Sequence, residues 1–168
     1  ISFKNMTVTN TSGSPGTISP RNIHLNGKGI TMSNAKVELF DVALKGSASA
    51  GLIMLRSSSS ATSVVATRCE FSNSRYCGAI VRGSLTSAKF KNCVFKDNVS
   101  SGIQVGNNAT IHLHGEATAI HANGNHGLNA FSSGKGFIHL PPHHNTCYNN
   151  EPADRRAAFG GTITNVED

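Results

Sequence analysis

Two stretches of the chain, CEFSNSRYCGAIV (residues 69–81) and CVFKDNVSSGIQV (residues 93–105), share the pattern C-x-F-x6-G-x-x-V. They begin 24 residues apart and differ at nearly every position outside the pattern. The constant positions are apolar or glycine, whereas the positions between them are mostly polar. A fixed period with constant apolar positions is typical of a repeat architecture, so the pattern predicts a structural unit rather than a metal or redox site.

Glycine marks the repeat most clearly. It recurs before short apolar stretches at intervals of 27, 24 and 25 residues, as Gly51, Gly78, Gly102 and Gly127. We expect each of these glycines at a corner where the chain turns without room for a Cβ atom. Upstream of each glycine, two alternate positions predict a core ladder of inward side chains: Val42, Cys69, Cys93 and Thr118, then Leu44, Phe71, Phe95 and Ile120.

Three short strands fit into each period. Apolar residues alternate after each glycine, as in Leu52/Met54, and again further along, as in Val37/Leu39 and, in the last copy, Ile138/Leu140. A period of two indicates strands with one buried face. The sequence therefore predicts an all-β fold, a right-handed parallel β-helix with three sheets and about 24–27 residues per coil. A left-handed β-helix would need apolar residues at every sixth position, and a β-sandwich would not keep one period through four copies.

The chain of 168 residues fits one β-helix domain. The pattern predicts irregular N-terminal coils or a cap over residues 1–36, regular coils over 37–140, and a long loop with a closing strand over 141–168. Irregular ends are expected because terminal repeats cover an otherwise exposed stack.

The coil pattern over about residues 30–166 resembles the repeats of the pectin-lyase-like superfamily. The resemblance implies the β-helix fold and raises polysaccharide lyase, hydrolase or epimerase activity as one hypothesis. Lyase and hydrolase chemistry requires several carboxylates in one groove, as calcium ligands or as general acid and base. The nine acidic residues of this chain are instead spread over different coils, without a D-D pair.

Histidine is concentrated in one part of the chain, with seven of eight between residues 112 and 144. His112 and His139 each lie between two inward apolar residues, which predicts that both point outward on one sheet, one coil apart and in contact. The predicted outward row is Glu38, Val65, Lys89, His112, His139 and Thr164. Lys89, His112, His114 and His139 form the candidate binding face, because imidazoles transfer protons, bind borderline metals and contact anionic glycans.

The net charge and the predicted exposed apolar residues indicate which kinds of partner are possible. The formal net charge is +6, which permits anionic partners. Lysine and arginine are scattered, with Arg155 and Arg156 the only adjacent pair, so nucleic acid is not a predicted partner. The outward residues Ile53 and Ile80 predict an exposed aliphatic pair suited to self-association. No apolar run reaches the ~18 residues of a membrane span.

The four cysteines lack zinc-ribbon spacing and contain no C-x-x-C. Cys77, in a predicted turn, is expected to be the accessible thiol. Buried thiols without a disulfide framework favour a reducing compartment. His143, His144 and Cys147 offer nitrogen and sulfur ligands but no fourth ligand at standard spacing, so neither a metal nor a cofactor is predicted.

These observations favour a non-catalytic β-helix that acts as a scaffold or binding module for carbohydrate or a protein partner. The alternative is a polysaccharide-active enzyme, or a fragment of one, with its site on the histidine-bearing sheet. A groove over the histidines with two or more carboxylates in reach would favour the enzyme.

Overall fold

Three strands recur in each coil, and the strands of successive coils pair in parallel, in a computed structural model that describes residues 6–9, 17–18, 24–26, 29–56, 60–141 and 144–166. Sheet I contains β1 (Met6–Thr9), β4 (Ile30–Ser33), β7 (Leu52–Met54), β10 (Ala79–Arg82), β13 (Ile103–Gly106), β16 (Leu128–Phe131) and β19 (Arg155–Ala158). Sheet II contains β2 (Thr17–Ile18), β5 (Lys36–Phe40), β8 (Thr62–Thr67), β11 (Thr86–Lys91), β14 (Thr110–His114), β17 (Lys135–His139) and β20 (Thr162–Asn165). Sheet III contains β3 (His24–Asn26), β6 (Ala43–Lys45), β9 (Glu70–Ser72), β12 (Val94–Lys96), β15 (Ala119–His121) and β18 (Cys147–Tyr148).

This architecture confirms the predicted all-β, right-handed parallel β-helix with three sheets. Within the first 36 residues, the described strands β1 to β4 join the same three sheets as the later strands. The described residues form no helix that is long and apolar enough to cross a membrane.

The core is a stack of like side chains inside the coils. Phe71 pairs with Leu44 on one side and with Phe95 on the other, and Ile120 follows in the same register. The rings of Phe71 and Phe95 stack with centroids 4.7 Å apart, and Phe90 meets Phe95 edge-on at 5.0 Å. The other predicted row of the core ladder is buried as well: Val42, Cys69, Cys93 and Thr118. Because parallel pairing places equivalent residues about 4.8 Å apart, like side chains fill the interior continuously.

The corner glycines are required by close packing between coils. A methyl group at Gly78 would lie 2.7 Å from the carbonyl oxygen of Gly102, and one at Gly51 would lie 2.8 Å from that of Gly78. None of the four corner glycines has a positive φ. Left-handed backbone occurs instead just after the sheet III strands, for example at Asn73 and Asp97. The corner glycines therefore make room for the next coil and do not supply an unusual turn conformation.

A ladder of asparagine side chains connects the coils at the corner that follows sheet III. Asn123 Nδ2 donates to Asn150 Oδ1 (2.8 Å), and Asn98 Nδ2 donates to Asn123 Oδ1 (2.8 Å). Each of these amides also bonds to main-chain groups, such as Asn123 Nδ2 to the carbonyl oxygen of Phe95 (3.1 Å). Asp154 Oδ1 accepts the amide of Asn150 (2.9 Å) and ends the ladder. The polar turns at this corner are thus constrained by hydrogen bonds between coils.

The register of β17 differs from the prediction. Ile138 and Leu140 are both buried, as predicted, but Gly136 and Ile138 are the residues that pair with Ile111 and Leu113, so the predicted register was wrong by two residues. The spacing from the start of a sheet I strand to the start of the next sheet II strand is seven residues in both of these coils. This equal spacing fixes the register even though glycine replaces an apolar side chain.

The C-terminal segment contains more strands than expected. Residues 141–168 were predicted as a long loop with one closing strand, but β18, β19 and β20 each add to one of the three sheets. The pattern is obscured because Arg155 and Ala157, which continue the inward positions of Leu128 and Ala130, are exposed and do not repeat the apolar alternation.

The predictions that Cys77 is accessible and that Ile53 and Ile80 form an exposed pair were wrong for one reason. Cys77 is fully buried and Ile80 is only 7% exposed, because they pack together with Ala50 and the half-buried Ile53 in a small second cluster. The corner residues that precede the glycines thus cover the aliphatic pair. All four cysteines are free and buried, and burial raises the pKa of the Cys77 thiol.

Candidate functional site

The structure brings together three imidazoles on the outward face of sheet II. His114 and His139 pair in register on β14 and β17, with ring centroids 4.2 Å apart. His112 Nδ1 lies 2.9 Å from His139 Nε2. One ring nitrogen from each residue lies within 4.8 Å of the others. With Lys89, these residues are called the histidine face below.

The predicted outward row requires one correction. Phe137, and not His139, pairs with His112, because the β17 register is shifted by two residues from the expected one. The Phe137 ring stacks on His112 at 5.1 Å, and Lys89 pairs with His112 from the other side, on β11. Burial first, then the charges of His139 and Lys89, hold the pKa of His112 below its ordinary value.

Carboxylates are scarce on the outward face of sheet II in its described strands. Among the described strands of sheet II, Glu38 is the single acidic residue in an outward position. Its strand β5 is three strands from β14, or about 14 Å at the spacing of paired strands. The face therefore lacks the carboxylate pair that glycoside hydrolysis requires.

Among the described residues, neither His144 nor Cys147 belongs to a group of three potential metal ligands. His144 contacts Thr146 Oγ1 (3.1 Å) and the carbonyl oxygen of Glu116 (2.6 Å). Cys147 is buried, and its burial raises the pKa of the thiol to about 11. His143 lies outside the described residues.

A pocket of about 250 Å³ lies on sheet I, and the sequence analysis did not identify it. It is called the arginine pocket and is lined mainly by Tyr76, Arg82, Gln104, Asn129, Phe131 and Arg156. Phe159, which is 80% exposed, also contributes. Outward residues of four neighbouring strands, β10, β13, β16 and β19, thus form one polar and aromatic surface.

Several polar groups in the arginine pocket have unused hydrogen-bonding capacity. Arg82 Nη2 donates to Gln104 Oε1 (3.0 Å), and its guanidinium lies 5.4 Å from the centre of the Phe131 ring. Arg82 Nε and Asn129 Oδ1 are buried without a partner among the described residues. Unpaired buried polar atoms cost free energy, so a side-chain movement that pairs them with a ligand would be favourable.

The pocket also carries positive charge. In the described part of the chain, no ion pair neutralises Arg82 or Arg156. Burial and then the charge of Arg156 lower the pKa of the nearby His126. The sequence contains a signal for this site, since Gln104, Asn129 and Arg156 occupy one outward row of sheet I, but the row is complete only when β19 is recognised as a strand.

Comparison with known proteins addresses the fold. A family model described as a right handed beta helix region matches residues 2–165. No curated protein and no solved structure matches the chain.

Proposed function

We propose that this chain, which belongs to the right-handed β-helix family, is a non-catalytic module that binds acidic carbohydrate in the arginine pocket. The proposal is carried by one observation: two arginines, two side-chain amides and aromatic rings line one pocket on sheet I. Such convergent polar groups on an otherwise partly apolar concave surface are typical of ligand sites.

The chemistry of the pocket matches a sugar acid. A sugar ring has an apolar face that packs on aromatic rings such as those of Tyr76 and Phe131. Its hydroxyl groups both donate and accept hydrogen bonds, as do the amides of Gln104 and Asn129. A carboxylate complements a guanidinium, with charge-assisted and often bidentate hydrogen bonds.

The size of the pocket limits the contact. Its volume of about 250 Å³ is slightly below the range of about 300–1,000 Å³ that is usual for drug-sized ligands. A single sugar residue fits this volume better than a long segment. Neighbouring residues of a polymer would then extend along the sheet surface.

Binding without cleavage is favoured by the distribution of acids. The described pocket lining contains no carboxylate that could act as general acid or base, and the cluster of His112, His114 and His139 includes none among the described residues. A polysaccharide-active enzyme on the histidine-bearing sheet is the competing proposal.

Isothermal titration with oligogalacturonate, compared with a neutral oligosaccharide of equal length, tests the proposal. We expect salt-dependent binding of the acidic oligomer alone. Arg82→Gln and Arg156→Gln should each weaken it about tenfold or more, because each removes a charge-assisted hydrogen bond. Arg68→Gln is the control, since it removes the same charge from a different corner of the coil, where Arg68 pairs with Asp41.

Two results would overturn the proposal. One is equal affinity for the acidic and the neutral oligomer, or an unchanged affinity in the Arg82 and Arg156 variants. The other is release of unsaturated uronate that disappears in His112→Ala, since it would establish catalysis on the histidine face.

A further inference from the structure

The histidine face contains the residues of a second site, on a different sheet from the arginine pocket. We propose that His112, His114 and His139 bind a divalent transition-metal ion of the zinc and copper class. This proposal does not depend on carbohydrate binding.

The arrangement of the three side chains follows directly from the sheet. His112 and His114 are alternate residues of β14, so both point outward, and His139 is the register partner of His114 on β17. One nitrogen from each ring is within 4.8 Å of the others, and His112 Nδ1 and His139 Nε2 are already 2.9 Å apart. Nitrogens bound to tetrahedral zinc at 2.0–2.1 Å lie about 3.4 Å from one another. The three rings are stacked within 26° of parallel, so they must rotate out of the stack before all three nitrogens point at one ion.

The strands also restrict where the rings can move. Phe137 stacks on His112 at 5.1 Å, and His114 stacks on His139 at 4.2 Å. Each of the three histidines is partly buried. Because the backbones of β14 and β17 are already paired, only side-chain rotations are needed, which limits the conformational entropy lost when the ion binds.

Ligand type selects the metal. Imidazole nitrogen suits zinc, copper and nickel, whereas calcium and magnesium require oxygen ligands. Three histidines leave a fourth coordination position for water or another ligand.

Neighbouring charges indicate what occupies the fourth position. Lys89 and Lys91 on β11 are the register partners of His112 and His114. Two exposed ammonium groups disfavour a bare cation but attract an anion to it. We therefore expect the bound ion to carry an anionic fourth ligand, such as hydroxide or a carboxylate.

The test uses untagged full-length protein. Zinc affinity is measured by competition with a chromophoric chelator, and the nitrogen ligands of bound copper are counted by electron paramagnetic resonance. We expect one ion per chain, three coupled nitrogens, and a loss of affinity of about tenfold or more in each of His112→Gln, His114→Gln and His139→Gln, because even the residues that orient metal ligands contribute about 10–100-fold.

His121→Gln is the matched control, since His121 is also a half-buried strand histidine, stacked on Tyr148 at 4.9 Å on sheet III. It should keep the wild-type affinity, as should Arg82→Gln. Circular dichroism establishes that each variant is folded. The proposal fails if no ion binds with one-to-one stoichiometry, if His121→Gln loses as much affinity as the others, or if only one of the three histidines matters.

Discussion

The row Leu44, Phe71, Phe95 and Ile120 crosses the same coils as the row Val65, Lys89, His112 and Phe137, but the first lies inside the β-helix and the second outside. Both rows have the same parallel backbone pairing. The inner row keeps one chemistry, whereas the outer row changes at each coil from aliphatic to basic to imidazole to aromatic. Packing therefore determines the inner residues, and the outer residues are free to form binding surfaces.

Phe95→Ala should give the largest effect, because Phe95 is fully buried between Phe71 and Phe90. We expect a loss of about 3–5 kcal/mol in the free energy of unfolding, measured by urea denaturation. Phe137→Ala, on the outer row, should lose below about 1.5 kcal/mol, the upper value for one aromatic contact. Equal losses would contradict the distinction between the two rows.

Asn123→Ala tests whether the corner ladder belongs with the inner rows. Its amide bonds to both neighbouring asparagines and to the carbonyl oxygen of Phe95, so its removal leaves buried groups unpaired. We expect a loss of about 2–3 kcal/mol in the same assay. Asn125→Ala, on the same turn but half-buried, should stay within about 0.5 kcal/mol. A similar value for both variants would mean that the ladder contributes little.

Gly78→Ala and Gly136→Ala compare a glycine with no space for a Cβ atom and a glycine with more space. The added methyl group would meet the carbonyl oxygen of Gly102 at 2.7 Å, so the coils must separate, and we expect a loss of about 1–3 kcal/mol. Gly136→Ala is the control, because the nearest atom there is the flexible end of Leu128 at 3.2 Å. It should change stability by less than about 1 kcal/mol in either direction. Thermal unfolding of both variants distinguishes backbone crowding from a general cost of alanine.

Glu70→Gln should give the smallest effect, since Glu70 is an outer residue of sheet III. Burial raises the pKa of Glu70, but hydrogen bonds from Lys45 and Ser72 and the charges of Lys45 and Lys96 hold it below its ordinary value. Its contribution is therefore present above the unfolded-state pKa near 4.3 and is lost as the pH falls through the lower folded-state value.

Because these ion pairs are exposed, wild type should exceed Glu70→Gln by less than about 1 kcal/mol at pH 6, and the two should converge at pH 3. Urea denaturation at the two pH values measures the difference. A gap that widens toward pH 3 would contradict the assigned ion pairs.

The fold could be predicted because the inner rows repeat apolar residues at a nearly constant spacing, as Phe71 and Phe95 show. The register of the last coils could not be predicted, because Gly136 occupies an inward position where an apolar residue was expected. The pairing there depends on the length of the loop between strands. Cys77 was wrongly predicted to be accessible because a residue in a turn can still be buried by a neighbouring coil.

Outer residues were harder to interpret than inner ones. The contact between His112 and His139 was expected from their positions, although the register joins His139 to His114. The arginine pocket combines residues from four coils, and no periodic signal marks Arg82 as part of it. Sites formed by non-repeating residues become visible only when neighbouring strands are placed side by side.

The asparagine ladder has a consequence for how the molecule opens. Ser47 and Ser74 occupy the equivalent corner in earlier coils: Ser47 Oγ bonds to Ala50 within its own coil, and Ser74 Oγ has no partner among the described residues. In the described chain, side-chain amides bind successive coils to one another from Asn98 onward. Asn98 also bonds to the coil before it, where its Oδ1 accepts from the amide nitrogen of Ser74 (3.0 Å) and its Nδ2 donates to the carbonyl oxygen of Phe71 (3.2 Å). We expect the coils from β9 to β18 to exchange their amide hydrogens as one slow cooperative unit, while the coils before them open separately and at lower free energy.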